Sequence, residues 1–219
     1  LTHLPRLKVI VLISGQGTNL RALIHAQQTG ELHSDIQAVF SDRSDAPGLE
    51  RARQADIDAR HLEPADFDDN AAFDATLAQE ILALEPDLLV LAGLMRILGP
   101  DFVETFRGRV LNIHPSLLPR FPGLNTHRRV LAAGDTVHGA TVHFVTEKLD
   151  DGPHIIQYRI PVRPDDSETS LKFRVSRGEH IILPRAVGWF AEQRLRLING
   201  AVMLDDRELN QAVMVDGEA

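Results

Sequence analysis

The residues best suited to chemistry stand two apart at the end of a short apolar run. They are Asn112 and His114, in Val110-Leu-Asn-Ile-His-Pro-Ser-Leu-Leu-Pro-Arg-Phe-Pro-Gly123. A primary amide donates hydrogen bonds through its NH2 group, and an imidazole gains or loses a proton near neutral pH. Together they suit acyl-type chemistry, in which a carbonyl oxygen becomes an oxyanion. The two-residue period of a strand places both side chains on one face. Pro115, Pro119 and Pro122 then end the run, because each proline removes a ladder donor and fixes φ. The pair is thereby delivered to the carboxyl end of a strand, the edge at which open α/β sheets bind ligands. Taken alone, the same pair also fits a polar strand end that caps a turn.

A second candidate lies near the start. The β-branched run Lys8 to Ile13 leads into Ser14-Gly-Gln-Gly-Thr-Asn19, and a helical stretch from Leu20 to Gln28 follows. A strand, a glycine loop and a helix in this order offer backbone N–H groups and the positive end of a helix dipole to an anion. The third glycine of a dinucleotide fingerprint would fall at Leu20, and the Gly-Lys-Ser/Thr ending of a P-loop is missing. Glycine also serves tight structural turns, so both uses stay open.

These loops need a scaffold, and the pattern around them supplies one. Ile36 to Phe40, Ala59 to Leu62 and Asp87 to Gly93 read as strands; Gly48 to Ala55, Asn70 to Leu84 and Asp101 to Phe106 read as helices. Phe73, Leu77, Ile81 and Leu84 recur at helical spacing and read as core. The alternation predicts an α/β fold with a doubly wound, mostly parallel sheet. Thr126 to Ala133 is a short helix whose His127 reads as solvated surface. His138 to Phe144 and His154 to Arg159 form an antiparallel pair. Ser167 to Phe190 is helical, with interruptions expected near Gly178 and Pro184. Leu195 to Ile198 and Ala201 to Leu204 flank Asn199-Gly200, a two-residue hairpin turn. One domain over residues 1–204 is expected, with halves of about 1–106 and 107–204, followed by a polar tail, 205–219, that frays.

With 219 residues, 43% hydrophobic and 25% charged, the composition is that of an ordinary soluble protein. Twenty-three basic against 31 acidic residues give a net charge of −8, which argues against a partner held by phosphate-backbone contacts. The chain holds no cysteine, so thiolate chemistry and disulfides are excluded. No apolar run approaches a membrane span, and Val9 to Ile13 is too short for a signal peptide. A cytoplasmic protein without nucleic-acid or membrane partners is the expectation. The ten histidines form no His-x-x-x-His or Glu-x-x-His cluster, so no metal is expected.

The segment Asn112-Ile-His114-Pro-Ser-Leu-Leu-Pro-Arg-Phe-Pro-Gly resembles the signature of the folate-dependent formyltransferases. Its continuation, Leu124-Asn-Thr-His-Arg128, is most similar to the branch that acts on glycinamide ribonucleotide. The resemblance extends from Ser14 to His180. It implies the formyltransferase fold and transfer of a formyl group from 10-formyltetrahydrofolate, as cosubstrate, to the amine of 5-phosphoribosylglycinamide. Asn112 and His114 would stabilise the tetrahedral oxyanion. Asp150, in Thr146-Glu-Lys-Leu-Asp-Asp-Gly-Pro153, would orient and tune the imidazole, although an Asp in such a loop is by itself an ordinary turn former. Gly17, Thr18 and Asn19 would hold the ribonucleotide phosphate, with Ser176 and Glu179 as further ribonucleotide contacts. Met95, Arg96, Ile97 and Leu98 would bind the folate, together with Asn112 and the loop Thr146, Glu147, Lys148, Leu149 and Asp150. Read from residues alone, Met95, Ile97 and Leu98 pack under a helix start. A cis Leu118–Pro119 bond is expected in the proline-rich turn.

Three positions depart from the family pattern. Asn70 stands where a basic folate contact is expected, Asn125 where a histidine would be, and Asp151 where a glycine would be. A tRNA-directed formyltransferase would need a further domain and a basic surface. A formyltetrahydrofolate hydrolase would need a regulatory domain ahead of the first strand, which begins at Lys8. The hydrolase and a catalytically silent folate- or nucleotide-binding protein stay as alternatives. A monomer or a homodimer fits equally.

Overall fold

The apolar run Leu7–Ile13 becomes strand β1, and its residues Val9 to Ile13 are buried. A strand apolar on both faces belongs inside a parallel sheet. β1 accordingly lies between β2 (Ser34–Ser41) and β4 (Leu88–Leu91), parallel to both, and β3 (Asp58–His61) continues the sheet beyond β2. Helices α1 (Thr18–Gln28), α2 (Pro47–Gln54), α3 (Asn70–Leu82) and α4 (Pro100–Thr105) alternate with these strands. The computed structural model describes residues 5–218.

The chain divides into two compact units, the first ending at Leu111 and the second beginning at Asn112. The division falls inside β5 (Val110–His114). In the first unit the strand order is β4-β1-β2-β3, with the start of β5 beside β4. The second unit holds α5 (Thr126–Ala133), β6 (Val137–Phe144), β7 (His154–Pro161) and α6 (Glu168–Ala191). A hairpin of β8 (Leu195–Ile198) and β9 (Ala201–Leu204) follows, then β10 (Arg207–Glu208) and β11 (Val213–Asp216). Its strands run in the order β5-β6-β7-β11, with β6 and β7 antiparallel and β11 parallel to β7. The fold is thus α/β, with a mostly parallel sheet and an antiparallel C-terminal part. Leu118–Pro119 is cis, as the proline-rich turn led us to expect.

Three expectations are corrected. The helix expected to break near Gly178 and Pro184 is continuous over 24 residues. Leu171, Val175, Ile182, Leu183, Ala186 and Val187 are buried on both sides of the two breakers, so packing overrides their low helix propensity. Gly178 is needed for close approach, since a Cβ there would meet the Tyr158 ring at 1.8 Å. The acid-rich tail does not simply fray. Val213 to Asp216 pair with Ile156 to Arg159, and Gly217 N–H donates to Arg159 O at 2.8 Å. Finally, His127 is buried rather than solvated, 3.0 Å from His138 through its Nδ1.

Among the described residues no helix is long and apolar enough to cross a membrane.

Candidate active site

In the second unit, the end of β5 and the loop before β7 converge. His114 is buried, and its Nδ1 lies 3.3 Å from Asp150 Oδ2. Its Nε2 lies 3.0 Å from the carbonyl oxygen of Phe121. A carbonyl and a carboxylate both only accept, so both ring nitrogens face acceptors and the ring is set to donate. Such a ring is a donor ready for a developing oxyanion.

Asp150 is held from several sides. Its backbone adopts a left-handed conformation, φ 52°, and its side chain is 6% exposed. Gly123 N–H donates to Oδ2 at 2.8 Å, and Asn112 Nδ2 lies 3.5 Å from Oδ1. The local sequence explains the turn, because Asp tolerates the left-handed region better than most residues and Gly152-Pro153 follow it. The neighbouring Asp151 points to solvent and pairs with Lys148 at 3.6 Å. The extra carboxylate therefore stays out of the buried cluster.

The structure adds a member the sequence reading did not select. His143, on β6, is buried, and its Nε2 lies 3.1 Å from Asn112 Nδ2. Its Nδ1 lies 2.8 Å from Phe144 O, so Nδ1 carries the proton. Burial pushes its pKa down to about 4, against smaller raising effects from the Phe144 carbonyl and Asp150. The ring is thus neutral at pH 7, and its Nε2 lone pair accepts from the Asn112 amide. One amide N–H is committed to His143, and the other is aimed near Asp150. The signal in sequence was only a histidine in a strand, 31 residues from its partner.

A second buried pair lies in the same unit. His127 and His138 have pKa values lowered to about 4 and about 3, chiefly by burial, with Lys172 and His114 adding to the shift at His127 and His127 and His114 at His138. Farther along, Ser176 and Glu179 lie one turn apart on α6, at the i, i+3 spacing of a shared face. Ser176 Oγ contacts His180 Nε2 at 3.4 Å. In the loop before β7, Leu149 is exposed, as are Glu147 and Lys148, while Thr146 Oγ1 reaches Lys148 O at 3.5 Å.

The first unit brings together the other two predicted segments. Gly17, at φ 66°, forms the N-cap of α1, and the helix opens at Thr18 and Asn19. The first-turn N–H groups of a helix lack intrahelical acceptors, which is the general basis of anion binding at helix starts. The loop is braced by Gly48 N–H on Gly15 O at 3.0 Å and by Arg51 Nε on Gln16 O at 2.8 Å. A Cβ at Gly17 would come within 2.8 Å of the Gly48 backbone, so this glycine permits close packing of α2. Ser14 joins this loop to the next one: its N–H donates to Gly93 O, and its hydroxyl accepts from Met95 N–H at 2.8 Å. Met95 and Ile97 are 66% and 64% exposed, whereas Leu98 is buried. Two large apolar side chains held in water suit a flat heteroaromatic ligand better than they suit packing. Among the described residues, no three His, Cys, Asp or Glu side chains gather in a way that could hold a metal ion.

Comparison with known proteins covers nearly the whole of the chain. The Formyl transferase family model matches residues 7–187. The chain is 50% identical over 203 residues to the phosphoribosylglycinamide formyltransferase of Escherichia coli strain K12, covering 93% of this chain and 96% of that protein. It is 44% identical over 202 residues to the Haemophilus influenzae enzyme of the same description, covering 92% and 95%. The solved structure of the Coxiella burnetii phosphoribosylglycinamide formyltransferase superposes with a TM-score of 0.91 at 49% identity, covering 95% of this chain and 99% of that one.

Proposed function

The chain belongs to the phosphoribosylglycinamide formyltransferase family, and from that premise we propose that it transfers the formyl group of 10-formyltetrahydrofolate to the amine of 5-phosphoribosylglycinamide, a step of purine biosynthesis. The observation that carries the reading is the cluster of half-buried Asn112 with the buried side chains of His114 and Asp150, both nitrogens of His114 facing acceptors.

In this reading the substrate amine attacks the formyl carbon. A C–N bond forms, and the carbonyl oxygen becomes an oxyanion. His114 turns its Nε2–H from Phe121 O to that oxygen, and Asn112 offers the N–H that is not committed to His143. Each well-placed donor is worth roughly 3–4 kcal/mol of transition-state stabilisation. The attacking amine loses one proton, and the folate nitrogen gains one as its C–N bond breaks. Asp150 holds His114 in orientation and carries that proton through a bound water. The anion-ready loop Gly17-Thr18-Asn19 takes the phosphate, and Ser176 and Glu179 supply further ribonucleotide contacts. Met95 to Leu98 and Thr146 to Asp150 take the folate.

The experiment follows folate absorbance with and without phosphoribosylglycinamide. Turnover that requires the ribonucleotide is expected. Folate turnover in its absence would identify a hydrolase instead, and no turnover with both substrates would leave a binding protein.

A further inference from the structure

Arg96 stands in the loop that the proposed reading gives to the folate, yet its guanidinium is held by α3. Three α3 residues at i, i+3 and i+4 share one helix face and converge on it. Its Nη2 donates to Asn70 Oδ1 at 2.5 Å, and its Cζ lies 4.1 Å from the centroid of the Phe73 ring. Its Nε lies 3.9 Å from Asp74 Oδ1. The other oxygen of Asp74 accepts Gly99 N–H at 2.7 Å and so fixes the far end of the loop. The near end is fixed by Ser14, through Gly93 O and Met95 N–H.

Asp74 is an unusual residue for this place. Its side chain is 7% exposed, among residues that otherwise pack as core, and Arg96 is 16% exposed. Carboxylates are seldom this buried unless paired. Burial raises the pKa of Asp74, while the Gly99 N–H and Arg96 favour its charged form. Asp74 Oδ1 and Arg96 Nε are both buried and neither makes a hydrogen bond, so they face each other as an ion pair.

We propose that Asp74 is a positioning residue for folate binding, orienting the Arg96 guanidinium and setting the exit of the 93–99 loop. The loop then meets a folate with its cation already placed. A guanidinium fixed before binding loses less freedom on contact with a carboxylate than a free one. Asn70 complements this arrangement, because a neutral acceptor beside Arg96 holds the guanidinium without adding a second charge. The proposal rests on the reading of Met95 to Leu98 as the folate loop.

Asp74→Asn keeps an oxygen for Gly99 N–H and removes the charge that faces Arg96; Asp74→Ala removes both. In Asp74→Asn the KM for 10-formyltetrahydrofolate should rise about tenfold, the scale of one weakened charge–charge contact. The KM for phosphoribosylglycinamide and kcat should stay within about twofold, which separates positioning from general damage. Added to Arg96→Ala, the same change should cost nothing further, because the two side chains act as one unit. In protein without substrates, the Arg96 Nε–H resonance should lose exchange protection in Asp74→Asn. An unchanged folate KM overturns the proposal, whatever the resonance does. An equal rise in both KM values with a lower Tm also overturns it, by reducing Asp74 to helix–loop packing. If the wild type turns over no folate, the functional reading fails on its own, and the Nε–H comparison still decides whether Asp74 orients Arg96.

Discussion

Asn112 contributes to an oxyanion site only if its amide faces the right way, and the neutral His143 ring fixes that direction. His143→Phe keeps a ring in the strand but removes the acceptor. A buried N–H left without a partner costs about 1–3 kcal/mol, so kcat should fall roughly five- to hundredfold. The KM values should change little. Steady-state kinetics on a variant with unaltered circular dichroism checks this, and an unchanged kcat would mean that Asn112 is oriented without His143. At this scale the sequence was partly legible. Asn112 and His114 stood out because prolines end the strand directly after them, and Asp150 only through the family resemblance, since an Asp before Gly152-Pro153 is by itself an ordinary turn former. His143 and Asp74 did not, and for one reason. Each lies inside an apolar periodic segment, where a polar side chain acquires meaning only from a partner brought near by folding: Asn112 for His143, Arg96 and Gly99 for Asp74.

Between elements, α5 and β6 each contribute one histidine to the buried His127–His138 contact. Their folded-state pKa values, about 4 and about 3, lie below the ordinary 6.5. Between pH 6.5 and those values the unfolded chain binds protons that the folded chain does not. Stability must therefore fall as pH falls through this window. Tm measured from pH 7 to pH 4 should decline, and His138→Gln should flatten the decline; an equally steep decline in the variant would contradict the assignment. The elements themselves were mostly readable from periodicity, with β1, α5 and the β8–β9 hairpin the clearest cases. The misreadings share a cause. Local signals at Gly178 and Pro184 argued for a break, and the acidic tail argued for fraying. Burial of α6 and pairing of β11 with β7 outweighed both. His127 was likewise judged by its place in a first turn, while its neighbour on β6 was invisible.

For the whole molecule, the expectation of a folate-dependent formyltransferase agrees with the family match over residues 7–187 and with relatives covered almost end to end. The acidic net charge of −8 fits small-molecule substrates taken up by local cation and helix-terminus sites rather than by a basic surface. What composition and motif could not supply is the state of the buried cluster, because the contacts of His114 and Asp150 depend on tertiary placement. Asp150, as the acid proposed to orient His114 and carry the proton, bears most directly on the proposed transfer. Single-turnover formyl transfer, with both substrates saturating, compares wild type with Asp150→Asn. Loss of a group acting in proton transfer should slow the chemical step by about 10²–10⁴-fold, with folate binding retained. A variant that transfers formyl within a few-fold of wild type would contradict the account.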